Sequence, residues 1–211
     1  MKNSQAVKFY EAIAYNNPDE KSCKLTTTND NTQLDADFIL KFTTPDSEVL
    51  DLGSGSGLII NKLYEKVAHI DAVELFETFS RFIEKTSKIS VFNQNITEFY
   101  STKKYDLITV FGTMHHFNEQ ESTAIYEKYY DMLKINGKLI IKNQFGTNDD
   151  VIVEGYSEEL KTNYFAHYRY TKKEEEILLK IGYHNIKFYD IYPPECNRWN
   201  NTHFYALVAE K

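Results

Sequence analysis

The chain has only two cysteines in 211 residues, Cys23 and Cys196. Thiols so far apart in sequence, without paired-ligand spacing, outline neither a disulfide framework nor a zinc site, so both are expected to be free and no metal is expected. Basic residues are in deficit: 24 Lys and Arg stand against 31 Asp and Glu, a formal charge of −7. A surface of that sign attracts phosphate backbones poorly, which argues against nucleic acid as a partner or substrate. Long apolar runs are missing as well. The opening stretch MKNSQAVKFYEAIAYNN has no apolar core followed by a small-residue cleavage site, and no later stretch is long enough to span a bilayer. No membrane association is expected, and the cytoplasm is the expected location. No repeat, low-complexity tract or linker breaks the chain, so one domain over 1–211 is expected, of a size at which a single core buries most of the chain's surface.

What the chain has in quantity is aromatic: 16 Tyr and 14 Phe, enough to pack a core and to line a pocket. Residues 1–45 read as a helical extension, with Val7, Tyr10, Ile13 and Ala14 at helical spacing and a second helix expected over 34–42. From Glu48 the pattern changes to short apolar runs, EVLDL, HIDAVEL, ISVFNQ, YDLITVF and GKLIIKN, the first four each followed by a plausible helix. NIKFYDIY and HFYALVAEK then form an alternating pair around PPECNRWNN. This order predicts an α/β fold with a Rossmann-like, seven-stranded, mainly parallel sheet, helices on both faces and a C-terminal antiparallel hairpin. Segment 144–171 is too long for a plain connector and is expected to be a substrate-side insert.

The chemistry begins at VLDLGSGSG, residues 49–57, where Gly53, Gly55 and Gly57 fall at a strand-to-helix junction. Glycines there let the backbone turn tightly and approach a ligand without Cβ interference. Such a loop alone is weak evidence, but Glu74 closes the next strand, where a carboxylate can accept hydrogen bonds from both hydroxyls of an adenosine ribose.

VLDLGSGSG followed by DAVEL resembles motif I and the acidic motif after it in the class I S-adenosylmethionine-dependent methyltransferases, in particular the small-molecule type. The resemblance is good over 49–142. It implies that Asp51, Gly53, Ser54, Gly55 and Gly57 hold the methionine end of the cofactor and that Glu74, with Leu75 beside it, holds the ribose. NQNITEF resembles the segment after the third strand, with Asn95 where the family usually has aspartate and Ile96 against the adenine; the amide oxygen of Asn95 could still accept a hydrogen bond. YDLITVFGTMHHF resembles the fourth-strand motif and places Phe111 and Gly112 by the methionine part. FYEAIAYNN resembles a lid helix, which would set Tyr10 and Tyr15 over the cofactor.

The implied activity is methyl transfer from S-adenosylmethionine to an oxygen or nitrogen of a small molecule (a sugar, a nucleotide-linked intermediate, an amine or a secondary metabolite), leaving S-adenosylhomocysteine. Such a transfer needs alignment above all, and a base where the acceptor must lose a proton. His115 and His116 stand where that base is needed; adjacent residues point in different directions, so at most one is expected to face the acceptor. Metal assistance is not expected, because the segments after the fourth and fifth strands read GTMHHF and NQF instead of supplying carboxylates. Tyr168, Arg169, Arg198 and Trp199 are candidate acceptor contacts, combining cations with aromatic and hydrogen-bonding groups. Two other readings compete. An NAD-dependent oxidoreductase would want a third glycine where Leu58 stands. A non-catalytic S-adenosylmethionine-binding regulatory module or partner subunit would keep these motifs without turnover. Nothing in these residues points to an oligomeric state.

Overall fold

The first strands are short, mainly apolar runs, and in a computed structural model they lie within the sheet, away from the antiparallel pair. The structure describes residues 3–16, 18–23, 30–157, 162–197 and 199–211. Strand β1 (Glu48–Leu52) is buried from Val49 on, β2 (His69–Val73) from Ile70 on, and β4 (Tyr105–Phe111) along most of its length. Burial on both faces is what parallel strands covered by helices require. β1 pairs in parallel with β2 on one side and β4 on the other, β2 with β3 (Ile89–Phe92), and β4 with β5 (Leu133–Gly146). The last two strands, β8 (His184–Tyr189) and β9 (Thr202–Glu210), are antiparallel, with β9 pairing between β5 and β8. The sheet order is β3-β2-β1-β4-β5-β9-β8, the seven-stranded Rossmann-like arrangement with a terminal antiparallel pair. The chain leaves β1 in one direction and returns to β4 on its other side, so the crevice for a ligand opens at the carboxyl ends of β1 and β4.

Each sheet face has its own apolar layer. On one, α4 (Glu119–Met132) and α5 (Thr171–Ile181) contribute Ile125, Tyr129 and Leu178 to a core shared with Leu50, Ile108 and Ile141. On the other, α2 (Thr32–Leu40) and a 3-10 turn at Ile60–Lys62 bring Phe38, Ile39 and Ile60 against Val49, Ile70 and Ile140. The α4 start is fixed by a capping box in which Asn118 accepts from Glu121 N and the Glu121 carboxylate accepts from Asn118 N. α5 stops at Gly182, whose φ of +117° lets its N–H return to the last turn.

Two local expectations are corrected. Of the helices expected after the first four strands, only α4 is long. After β1 there are 3-10 turns at Ile60–Lys62 and Tyr64–Lys66, after β2 a four-residue helix α3 (Glu77–Ser80), and between β3 and β4 no helix. In that last stretch short polar side chains bind the backbone and compete with helix: Asn95 Oδ1 accepts from Thr97 N, and Ser101 Oγ from Lys103 N. The helix expected over 34–42 runs Thr32–Leu40, and the amino-terminal helix α1 covers Asn3–Tyr15. Segment 144–171 contains regular structure of its own, an antiparallel pair of β6 (Val151–Ser157) and β7 (Thr162–Tyr168). Among the described residues, no helix is long and apolar enough to cross a membrane.

Candidate active site

A cavity of about 530 Å³ opens at the carboxyl ends of the parallel strands, floored by the loops after β1, β2, β3 and β4 and covered by α1. Its glycine-rich edge is held open by backbone geometry. Gly53, Gly55 and Gly57 have φ of +75°, +55° and +77°, a region L-residues rarely occupy. A Cβ on Gly53 would stand 2.5 Å from Thr113 Oγ1, so the turn and the segment after β4 approach as closely as they do only because that atom is absent. Gly53 N and Ser54 N both donate to Val73 O, at 2.8 and 3.0 Å, tying the turn to the end of β2. Gly53, Ser54 and Gly55 line the cavity; Gly57 and Asp51, expected there from sequence, are not part of its lining. Asp51 is buried and accepts from Thr109 Oγ1 at 2.6 Å, with burial raising its pKa.

Glu74 is the best-organised group in the cavity. Its carboxylate is buried, with Oε2 accepting from Gly55 N and Oε1 from Phe76 N, both at 2.9 Å. Burial raises its pKa while these backbone bonds pull it down. Each oxygen retains acceptor capacity, which is the chemistry two neighbouring ribose hydroxyls require. Leu75, Ile96, Phe111 and Gly112 also line the cavity, and a Cβ on Gly112 would meet nothing within 4 Å. Asn95 lines it too, but its Oδ1, the acceptor expected from sequence, already accepts from Thr97 N and Thr97 Oγ1.

His115 and His116 lie in a 3-10 turn, Met114–His116, with ring centroids 4.0 Å apart, and both line the cavity. They differ in environment. His115 is half-buried, with Nδ1 3.3 Å from Asn143 Oδ1. His116 is buried among Tyr10 and Tyr164, neither ring nitrogen makes a hydrogen bond of good geometry, and burial lowers its pKa to about 4 against a weak opposing contact with the Phe165 backbone. Between pH 6.5 and 4 the unfolded chain therefore binds a proton at this position that the folded chain does not. The stability involved is present above pH 6.5 and is lost as pH falls toward 4. His116→Phe is expected to remove roughly 2 kcal/mol of the fall in unfolding free energy between pH 7 and pH 5, by urea denaturation at both values. Parallel pH profiles for the two proteins would refute this.

The remaining candidates divide. Tyr10 is half-buried in the cavity roof, its ring 6.5 Å from that of Phe79 and nearly perpendicular to it. Tyr15 is 90% exposed and outside the lining, a correction that follows from its position five residues on, about 140° round the helix. Tyr168 lines the cavity and packs on Trp199 at 5.8 Å; Trp199 itself stays outside the lining, 44% exposed. Arg169 is corrected outright: it is buried away from the cavity, paired with Glu174 and donating to Phe117 O at 3.0 Å. Arg198 lies outside the described residues. Lys142, Tyr192 and Asp35 line the cavity and were not singled out from sequence. A lysine closing the apolar run KLII was the available signal, since such a charge is rarely buried without a partner.

A mainly parallel sheet with a buried acidic residue and a glycine turn at one cavity defines a nucleotide-cofactor site of the Rossmann-like kind. The comparisons narrow the class. Residues 49–137 match the family model described as Methyltransferase domain. Among solved structures, a DhpI complex with S-adenosylhomocysteine is 14% identical, with a TM-score of 0.72 over 99% of this chain and 96% of that one. The 1,6-didemethyltoxoflavin-N1-methyltransferase of Burkholderia thailandensis is 15% identical, with a TM-score of 0.73 over 98% and 88%. The glycopeptide N-methyltransferase MtfA is 12% identical, with a TM-score of 0.67 over 87% and 90%. No curated protein sequence matches. Residues 49–137 thus match a methyltransferase domain, and the chain has the fold of the class I S-adenosylmethionine-dependent methyltransferases.

Proposed function

We propose that this protein transfers the methyl group of S-adenosylmethionine to a nitrogen or oxygen of a small molecule. The observation that carries the reading is Glu74, a buried carboxylate pre-positioned by Gly55 N and Phe76 N at the mouth of the glycine turn. Its two oxygens would take the ribose hydroxyls, Gly53 to Gly55 would pass beneath the methionine end, and Asn95 and Ile96 would border the adenine. When bound, S-adenosylmethionine supplies a methyl group activated by its sulfonium sulfur. The chain's own part is to hold an acceptor atom in line with that methyl, near Phe111 and His115, and to keep water out with α1. We assign α1 as the lid, with Tyr10 as its contact, and the β6–β7 hairpin as an acceptor-side wall through Tyr164 and Tyr168. The net negative charge favours a small molecule over nucleic acid. The N-methyltransferases among the similar structures support nitrogen as a target atom.

The test is calorimetric titration with S-adenosylmethionine, S-adenosylhomocysteine and NAD in parallel. The first two are expected to bind and NAD is not. Glu74→Ala should weaken S-adenosylhomocysteine by ~1–3 kcal/mol, the range for hydrogen bonds to a charged group. Undiminished affinity in that variant would take Glu74 out of the site, and binding of NAD alone would overturn the reading. Binding of the methyl donor without transfer to any acceptor would favour a non-catalytic module.

A further inference from the structure

Beyond the ends of β1 to β4 the cavity continues over β5, where three segments distant in sequence meet. Lys142 lies in β5 opposite Phe111 of β4, Asp35 is in α2, and Tyr192 follows β8. Lys142 Nζ is 2.7 Å from Tyr192 Oη and 3.3 Å from Asp35 Oδ2, and Tyr192 Oη is 2.7 Å from Asp35 Oδ1. The lysine and aspartate side chains are only 14% and 4% exposed, yet all three residues line the cavity.

The proton arrangement follows from which groups can donate. A carboxylate only accepts, so the tyrosine hydroxyl gives its proton to Asp35, and the ammonium donates to Tyr192 Oη and to Asp35 Oδ2. Burial, and after it the charge of Asp35, raises the Tyr192 pKa, so the phenol keeps its proton. This leaves one N–H on Lys142 and one lone pair on Tyr192, a donor and an acceptor on atoms 2.7 Å apart. That pair complements the edge of a lactam, whose carbonyl oxygen accepts and whose adjacent N–H donates. A carboxylate fits poorly: it brings two acceptors to one donor, and Asp35 already balances the lysine charge. The nearby walls are flat, with Lys142 over the Phe111 ring and Tyr192 against Phe204.

We propose that Lys142, Tyr192 and Asp35 form the recognition point for the methyl acceptor, and that this acceptor is a flat, uncharged heterocycle presenting a lactam edge. The inference rests on the reading of the β1 to β4 ends as the cofactor lobe.

It is tested on the full chain saturated with S-adenosylhomocysteine by titrating three probes: lumazine, which carries lactam edges; quinoline, which has none; and quinoline-2-carboxylate. Lumazine is expected to bind the wild type, and to bind about tenfold or more weakly to Tyr192→Phe, where its N–H loses an acceptor. Lys142→Met alone would leave a buried unpaired carboxylate and risk misfolding, so the second variant is the charge-balanced Lys142→Met/Asp35→Asn, with the same loss expected. Quinoline should not distinguish the three proteins, and S-adenosylhomocysteine affinity should be equal in all. Lumazine binding alike to all three, or failing to bind the wild type, overturns the proposal, as does tighter binding of quinoline-2-carboxylate. A loss of S-adenosylhomocysteine affinity confined to the variants also overturns it, by moving the cluster into the cofactor lobe. Failure of the wild type to bind S-adenosylhomocysteine instead sinks the cofactor reading, and this inference with it.

Discussion

Arg169→Ala is expected to lower the free energy of unfolding by about 3–5 kcal/mol, the range for breaking a buried ion pair from one side. The guanidinium is 2% exposed and bonds Glu174 through Nε; Glu174, fully buried, also receives the Tyr126 hydroxyl. Without the arginine that carboxylate stays in the core with the tyrosine as its remaining side-chain partner. The Phe117 carbonyl simultaneously loses the donor at 3.0 Å that ties the end of the histidine turn to the segment after β7. Urea denaturation at pH 7 measures the effect. An apolar replacement of both partners, Arg169→Met/Glu174→Leu, should cost much less, because no uncompensated charge remains. If Arg169→Ala matched the wild type, the network would contribute nothing net, and the segment after β7 would be held by packing and by the bonds from Gly146 N to Arg169 O and from Tyr170 N to Asp150 Oδ1.

That arginine also marks where sequence stops being informative. In HYRY it reads as an acceptor contact, because a cation among aromatics suits a ligand site as well as a core ion pair. The deciding partner, Glu174, stands five residues on in the charged run KKEEE, with nothing to distinguish it from its solvated neighbours. The parallel strands were legible because burial on both faces writes itself as short, mainly apolar runs. The glycine turn was legible because positive φ at three alternate positions has almost one residue type as its solution. Glu74 was legible because a carboxylate closing such a run has to be partnered. By contrast, the Lys142, Tyr192 and Asp35 cluster joins residues 50, 107 and 157 positions apart, through contacts no local pattern encodes. The absence of a helix between β3 and β4 went unread because spacing predicts which face is apolar, whereas Asn and Ser side chains binding backbone compete with the helix there.

His115→Ala is expected to reduce turnover by ~10²–10⁴-fold where the acceptor must lose a proton, while S-adenosylhomocysteine affinity changes by no more than about twofold. The two histidines share a turn but not a chemistry. With the Asn143 carboxamide oxygen 3.3 Å from its Nδ1, His115 is held in a fixed orientation on the cavity wall while remaining half-buried. His116 has a pKa near 4, too low to take a proton near neutrality, and its neutral ring packs against His115, Tyr10 and Tyr164. His116→Phe should therefore retain far more turnover than His115→Ala, provided both are folded at the assay pH. The measurement is transfer of a labelled methyl group, at saturating S-adenosylmethionine, into an acceptor obtained by screening. The reverse ranking would make the buried histidine the base and require the acceptor to raise its pKa on binding. Full turnover in both variants would leave alignment alone to drive the reaction, which an acceptor nitrogen that is already unprotonated would permit.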